Sequence, residues 1–222
     1  MDLVDQPLAA APPTTVGRGR LLIGLDVGEK TFVVCLFALM TQRVIQSVGS
    51  GGSWFNFLQL GGEALPVVLI LLRRRASELS LKPMDWMLAV GATAAPLLVR
   101  PTDHPMALAP IGICVGLMLS GLLFQIIAKL TLRFSFGMAP ANRGLKVTGA
   151  YRIVRHPIYA AYLIGQIGFF LLNPTFWNAA VYGVGLGLQL FRIAAEERVL
   201  AHDQAYASFR AATPFRLIPG LY

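Results

Sequence analysis

Apolar residues gather into six runs, approximately 21–40, 54–72, 84–99, 106–127, 158–172 and 176–191. A membrane-spanning helix needs about 20 consecutive, mainly apolar residues. The second and fourth runs meet that length, although the second carries Glu63, while the third and fifth are short. The first holds Asp26, Glu29 and Lys30, so only 31–40 is cleanly apolar. Gly28-Glu29-Lys30 can instead lie at an interface, which would leave five spans. The pattern predicts an all-α fold, a polytopic membrane bundle of five to six transmembrane helices. Asn173-Pro174-Thr175, between the fifth and sixth runs, is short enough only for a tight helical hairpin. That hairpin sets the start of the fifth helix beside the end of the sixth. Beyond Glu197, Val199, Leu200, Tyr206 and Phe209 recur at helical spacing with His202, Asp203 and Arg210 between them. This predicts a cytosolic C-terminal amphipathic helix on the membrane surface, ended by Thr213-Pro214. Pro219-Gly220 then closes the chain in a turn. The chain divides into a flexible tail (1–19), N-terminal transmembrane helices (20–128) and a C-terminal region of loop, hairpin and amphipathic helix (129–222).

Composition supports the membrane reading. Of 222 residues, 55% are hydrophobic and only 14% charged, against roughly 25% charged in a soluble domain. Mean hydropathy is +0.62. The formal charge of +8 would suit nucleic acid, but the basic residues sit at the ends of apolar runs, as orientation in a bilayer requires. With six spans, 16 of the 19 basic residues fall on the side of both termini. Arg43 and Arg100 fall on the other side, and Lys30 lies within the first run. The expectation is an integral protein of an inner, plasma or endomembrane, with N- and C-termini cytoplasmic and no nucleic-acid partner. The tail lacks the basic and apolar regions of a signal peptide. Cys35 and Cys114 lie inside apolar runs and read as small buried hydrophobes. His104, His156 and His202 share no ligand spacing, so no metal site is expected.

Two polar clusters stand out at the ends of apolar runs, where a charge costs several kcal/mol unless it is paired, solvated or used. One is L-K-V-T-G-A-Y-R-I-V-R-H-P-I-Y (145–159), and the other is R-I-A-A-E-E-R-V-L (192–200). The hairpin makes them neighbours and so one composite site on the cytoplasmic face. Pro157 suits the first position of a helix. The free amides of Ile158, Tyr159 and Ala160, with Arg155 and His156 beside them, would attract a carboxylate or phosphate. Tyr159, Tyr162 and Gln166 share a face and could meet a planar ligand group, or the tyrosines could simply anchor the helix at the interface. Arg192 and Glu196 stand one turn apart on one helix face. Glu197 points about 100° away. Two adjacent carboxylates ask for a cation, from Arg155, Arg192, Arg198 or a ligand.

The runs G-A-Y-R-I-V-R-H-P-I-Y, R-I-A-A-E-E-R-V-L and Y-A-S-F-R-A-A-T-P-F-R-L-I-P-G, in that order, resemble the isoprenylcysteine carboxyl methyltransferase family over about 145–220. The resemblance implies S-adenosylmethionine as methyl donor, in a cytosolic pocket closed by the C-terminal helix. It places the family's cofactor contacts on Arg143 through Lys146, including Leu145, on Tyr151, on His156, Pro157, Ile158 and Tyr159, and on Glu196. The physical reading adds Arg155 and Glu197. The family's substrate-carboxylate arginine falls on Arg192, the expected catalytic residue. The implied function is methyl transfer to a lipophilic acceptor entering from the bilayer, with a prenylcysteine-like carboxylate foremost. A carboxylate is already ionised at neutral pH and needs no base. An amine acceptor would need one, with Glu196 or Glu197 the candidate.

Two other readings stay open. A sterol-reductase-like NADPH enzyme has a similar R-H-P-x-Y stretch. A non-catalytic subunit of a larger membrane complex would use the charged first run and the G-S-G-G-S stretch (49–53) as surfaces for membrane-protein partner chains.

Overall fold

The computed structural model describes residues 16–49, 64–65, 67–73, 76, 78–100 and 107–222. Most of the second apolar run, with Trp54 and Glu63, lies outside them, as do His104 and residues 50–53.

Helix α1 (Val16–Gly49) is continuous through the charged stretch of the first run. Lys30 and Asp26, one turn apart, pair at 3.0 Å, so Gly28-Glu29-Lys30 is helical and not a break. Residues 67–72 form helical segment α2. Helix α3 (Pro83–Ala94) passes into a 3₁₀ turn, Ala95–Leu98, where Pro96 lacks the N–H that would continue the ladder. At 1.5 Å per residue α3 is about 18 Å long, shorter than the roughly 30 Å hydrocarbon core of a bilayer. Helices α4 (Ile111–Leu132), α5 (Pro157–Leu172) and α6 (Phe176–Leu200) follow, then α7 (Gln204–Ala212). Among the described residues, α4 is the one helix long and apolar enough to cross a membrane, and α5 is apolar but shorter.

Helices α4 and α5 meet backbone to backbone. A Cβ added at Gly121 would lie 2.7 Å from the Gly165 nitrogen, and one at Gly168 would lie 2.7 Å from the Cys114 carbonyl. Small residues permit such an approach between membrane helices, and it fixes where α5 begins. The α5–α6 turn forms as the sequence predicts, with the Thr175 hydroxyl accepting from the Asn178 amide at 3.0 Å. The apolar part of α6 ends near Phe191, but the helix runs on through Arg192–Leu200 and carries the second polar cluster beyond it.

The described residues are mostly helical, as expected, with one two-residue pairing in which β1 (Glu78–Leu79) runs antiparallel to β2 (Ala141–Asn142) and ties the segment before α3 to the loop before α5. Two expectations are corrected. The amphipathic segment does not continue from α6. Asp203 caps α7 afresh by accepting from the Ala205 amide, and Tyr206 and Phe209 are buried against Tyr151 instead of facing lipid. Cys114 is buried, but Cys35 is exposed on α1.

Candidate active site

The hairpin brings Tyr159 of α5 and Glu196 of α6 into direct contact, and the Tyr159 hydroxyl donates to Glu196 Oε1. Around this pair lies a cavity of about 190 Å³, more than ten times the space one water needs. Arg143, Leu145, Lys146, Tyr151, Arg155, His156, Ile158, Tyr159, Arg192 and Glu196 all line it. Pro157 and Glu197 do not, nor does Gln166. Apolar side chains also line it, among them Val33, Leu36 and Phe37 of α1 and Val67 and Ile70 of α2.

The two carboxylates divide their work. Glu196 faces the cavity, held by Tyr159, by Arg192 Nε at 3.3 Å and by His156 Nδ1 at 3.7 Å. Glu197 turns into the protein. It accepts from Arg155 Nε (2.9 Å) and Arg216 Nε (3.0 Å), and lies 3.2 Å from His156 Nε2. Burial alone would raise the Glu197 pKa, but hydrogen bonds from His156, Arg216 and Arg155 outweigh it and hold the carboxyl well below its usual range. Arg198, a candidate partner from sequence, pairs instead with Asp85 at 3.2 Å.

Residues 213–222 form a strap across the start of α5. The Arg155 and His156 amides donate to the carbonyls of Phe215 and Arg216, each at 2.9 Å. Arg155 Nη1 donates to the Thr213 and Pro214 carbonyls at 2.8 and 2.6 Å. Leu217 is buried with Val154, Tyr159 and Ile193. Arg155 is therefore committed to the strap and Glu197. The predicted array of free amides is also reduced, because those of Tyr159 and Ala160 donate to the His156 carbonyl at 3.1 Å.

Arg192 is buried with its guanidinium 5.2 Å above the Tyr159 ring. Nη2 donates to the Met138 carbonyl at 2.7 Å, while Nη1 reaches Thr93 only at 3.5 Å, a weak contact. Arg143 is also buried, and burial pushes its pKa down to about 10, so it stays charged at neutral pH. Its Nε has no hydrogen-bond partner among the described residues. Burial raises the Tyr151 phenol above its ordinary value, so it stays neutral.

Four contributors escaped the sequence reading: Glu29 and Thr93, the Met138 carbonyl, and Arg216. Arg216 lies in the P-F-R-L-I-P-G ending, so it was in view without a role. Glu29 had a signal too, since it heads the helical series Glu29, Val33, Leu36, Phe37 on one face of α1. Met138 acts through its backbone, which residue type does not encode.

Residues 112–202 match the family model described as isoprenylcysteine carboxyl methyltransferase (ICMT) family. The match starts within α4, earlier than the motifs from 145 onward, and stops before the strap. Such a family implies a membrane methyltransferase. No curated protein matches the chain.

Proposed function

From the premise that residues 112–202 belong to the isoprenylcysteine carboxyl methyltransferase family, we propose that this membrane protein transfers a methyl group from S-adenosylmethionine to the carboxylate of a lipophilic acceptor. The observation that carries the reading is the mixed lining of the cavity. Ion-pairing groups of both signs gather at the ends of α5 and α6, and apolar side chains of α1 and α2 line the same cavity. An amphiphilic acceptor suits both kinds of lining.

The chain's residues fit the cofactor. Arg143, with Nε unbonded among the described residues, and Lys146 suit its carboxylate. Glu196 suits its ammonium, and Tyr151, Tyr206 and Phe209 offer aromatic surface. When bound, S-adenosylmethionine supplies a methyl group made electrophilic by a sulfonium. Arg192 holds the acceptor carboxylate by a charge-assisted contact from Nη1. Tyr159 and Glu196 fix the Arg192 plane, and the strap and α7 keep water out.

A carboxylate is favoured over an amine because neither candidate carboxylate base is placed to serve one. Glu197 lies outside the cavity wall, and Glu196 already accepts from Tyr159 and Arg192. The proposal includes five to six crossing helices, with α4 the clearest, and in the six-span arrangement both termini lie in the cytoplasm.

The test is to supply methyl-labelled S-adenosylmethionine to the detergent-purified protein with prenylcysteine and fatty-acid acceptors. Label in the lipid phase that mild base releases as methanol is expected, as an ester requires. Base-stable label would contradict carboxylate methylation, and no label with any acceptor would contradict the function.

A further inference from the structure

Glu29 lies on α1, outside the family-matched stretch 112–202, and is only 1% exposed. A carboxylate buried in a largely apolar helix is costly unless something uses it. Its Oε1 accepts from the Met138 amide at 2.6 Å, the Ala139 amide at 3.3 Å and Arg73 Nη1 at 2.5 Å. Its Oε2 lies 3.5 Å from Arg143 Nη2.

Arg73 is one partner of this carboxylate and also bonds Asp26 through Nε and Nη2, but Arg73 does not line the cavity. The charge that Glu29 adds faces Arg143, which lines the cavity. The Met138 backbone is engaged on both sides, its N–H on Glu29 and its carbonyl, which shares a peptide unit with the Ala139 N–H, receiving Arg192 Nη2 at 2.7 Å. Gly137 leaves room for the Arg143 guanidinium beside this segment, since a Cβ there would come 2.3 Å from Arg143 Nη1.

We infer that Glu29 is a positioning residue that sets Arg192, through the Met138 peptide, and Arg143, through direct pairing, on two sides of the cavity. Its consequence for ligand binding rests on the methyltransferase reading. The N-terminal helix is thereby part of the site, and not only a wall for the acceptor chain.

Two readouts test this. In the first, hydrogen exchange at Met138 and Ala139 is expected to rise in Glu29→Ala and less in Glu29→Asp, with exchange elsewhere near wild type. Unchanged exchange there would overturn the inference. A rise throughout the chain would also overturn it, because Glu29 would then hold the fold and not the site. In the second, S-adenosylmethionine binding by calorimetry is expected to weaken about tenfold in Glu29→Gln, the scale of one charge-assisted hydrogen bond. Glu29→Asp should recover part of the loss. In an Arg143→Met background, Glu29→Gln should add little, because the two act as a unit. Unchanged affinity, or losses that simply add, would overturn the inference. A wild type that binds no S-adenosylmethionine, with exchange still rising locally at 138–139, would sink the methyltransferase reading and leave the positioning role standing.

Discussion

Glu197→Ala is expected to release residues 213–222 from the start of α5 and to destabilise the protein by about 3 kcal/mol, toward the low end for breaking a buried ion pair. The variant would strand Arg155, His156 and Arg216 around one missing carboxylate. Arg155 is buried, so water cannot readily replace the lost carboxylate beside its guanidinium. Arg216 keeps some contact with water, which limits the loss. Proteolysis of the C-terminus and the melting temperature in detergent both report it. A pH dependence follows from the depressed carboxyl. The stabilisation from Glu197 is complete above the ordinary carboxylate value of 4.5 and is lost as pH falls through the lower folded value. The strap should therefore hold through mildly acidic pH and loosen only in stronger acid. Glu197→Gln should remove that acid step while already being weaker at neutral pH. A Glu197 variant that leaves strap protection unchanged would show that the hydrogen bonds from Arg155 and His156 to residues 213–216 hold it alone.

Arg192→Ala is expected to lower kcat/KM for a carboxylate acceptor by about 100-fold, the lower end for removing one donor aimed at developing or reacting charge. Cofactor affinity should change far less. Within the protein Arg192 is held by a short bond from Nη2 to the Met138 carbonyl and by its ion pair through Nε with Glu196. Nη1 is the arm whose present partner is easily displaced. Arg192→Lys should recover little, because a lysine cannot bond Glu196, Met138 and the acceptor in one fixed plane. Steady-state kinetics with the labelled donor, alongside direct cofactor binding, separates the two effects. Equal losses in both would place Arg192 in the cofactor site instead.

Local sequence signals were enough to bring the C-terminal candidate residues together. The short Asn173-Pro174-Thr175 link and the spacing of Arg192 and Glu196 are properties of a hairpin and a helix face, and both are seen. The lengths of α3 and α7 were harder to read. Pro96 shortens α3 within an apolar run, and the Asp203 cap restarts the chain after α6. The apolar face of α7 gave no sign of whether it would meet lipid or Tyr151. Glu29 was misplaced for a related reason. A charge in a membrane segment suggests an interface or a partner, whereas its actual partners, the amides of Met138 and Ala139, lie more than 100 residues away. Backbone partners at that distance leave no pattern in residue type.

The central claim is tested most directly by measuring S-adenosylmethionine binding to the detergent-purified protein by calorimetry, with Glu196→Ala and His156→Ala beside the wild type. Micromolar binding by the wild type, lost in both variants, is the predicted result and would locate the cofactor at the ends of α5 and α6. Absence of binding by the wild type would contradict the methyltransferase function, and binding unchanged in both variants would contradict the site.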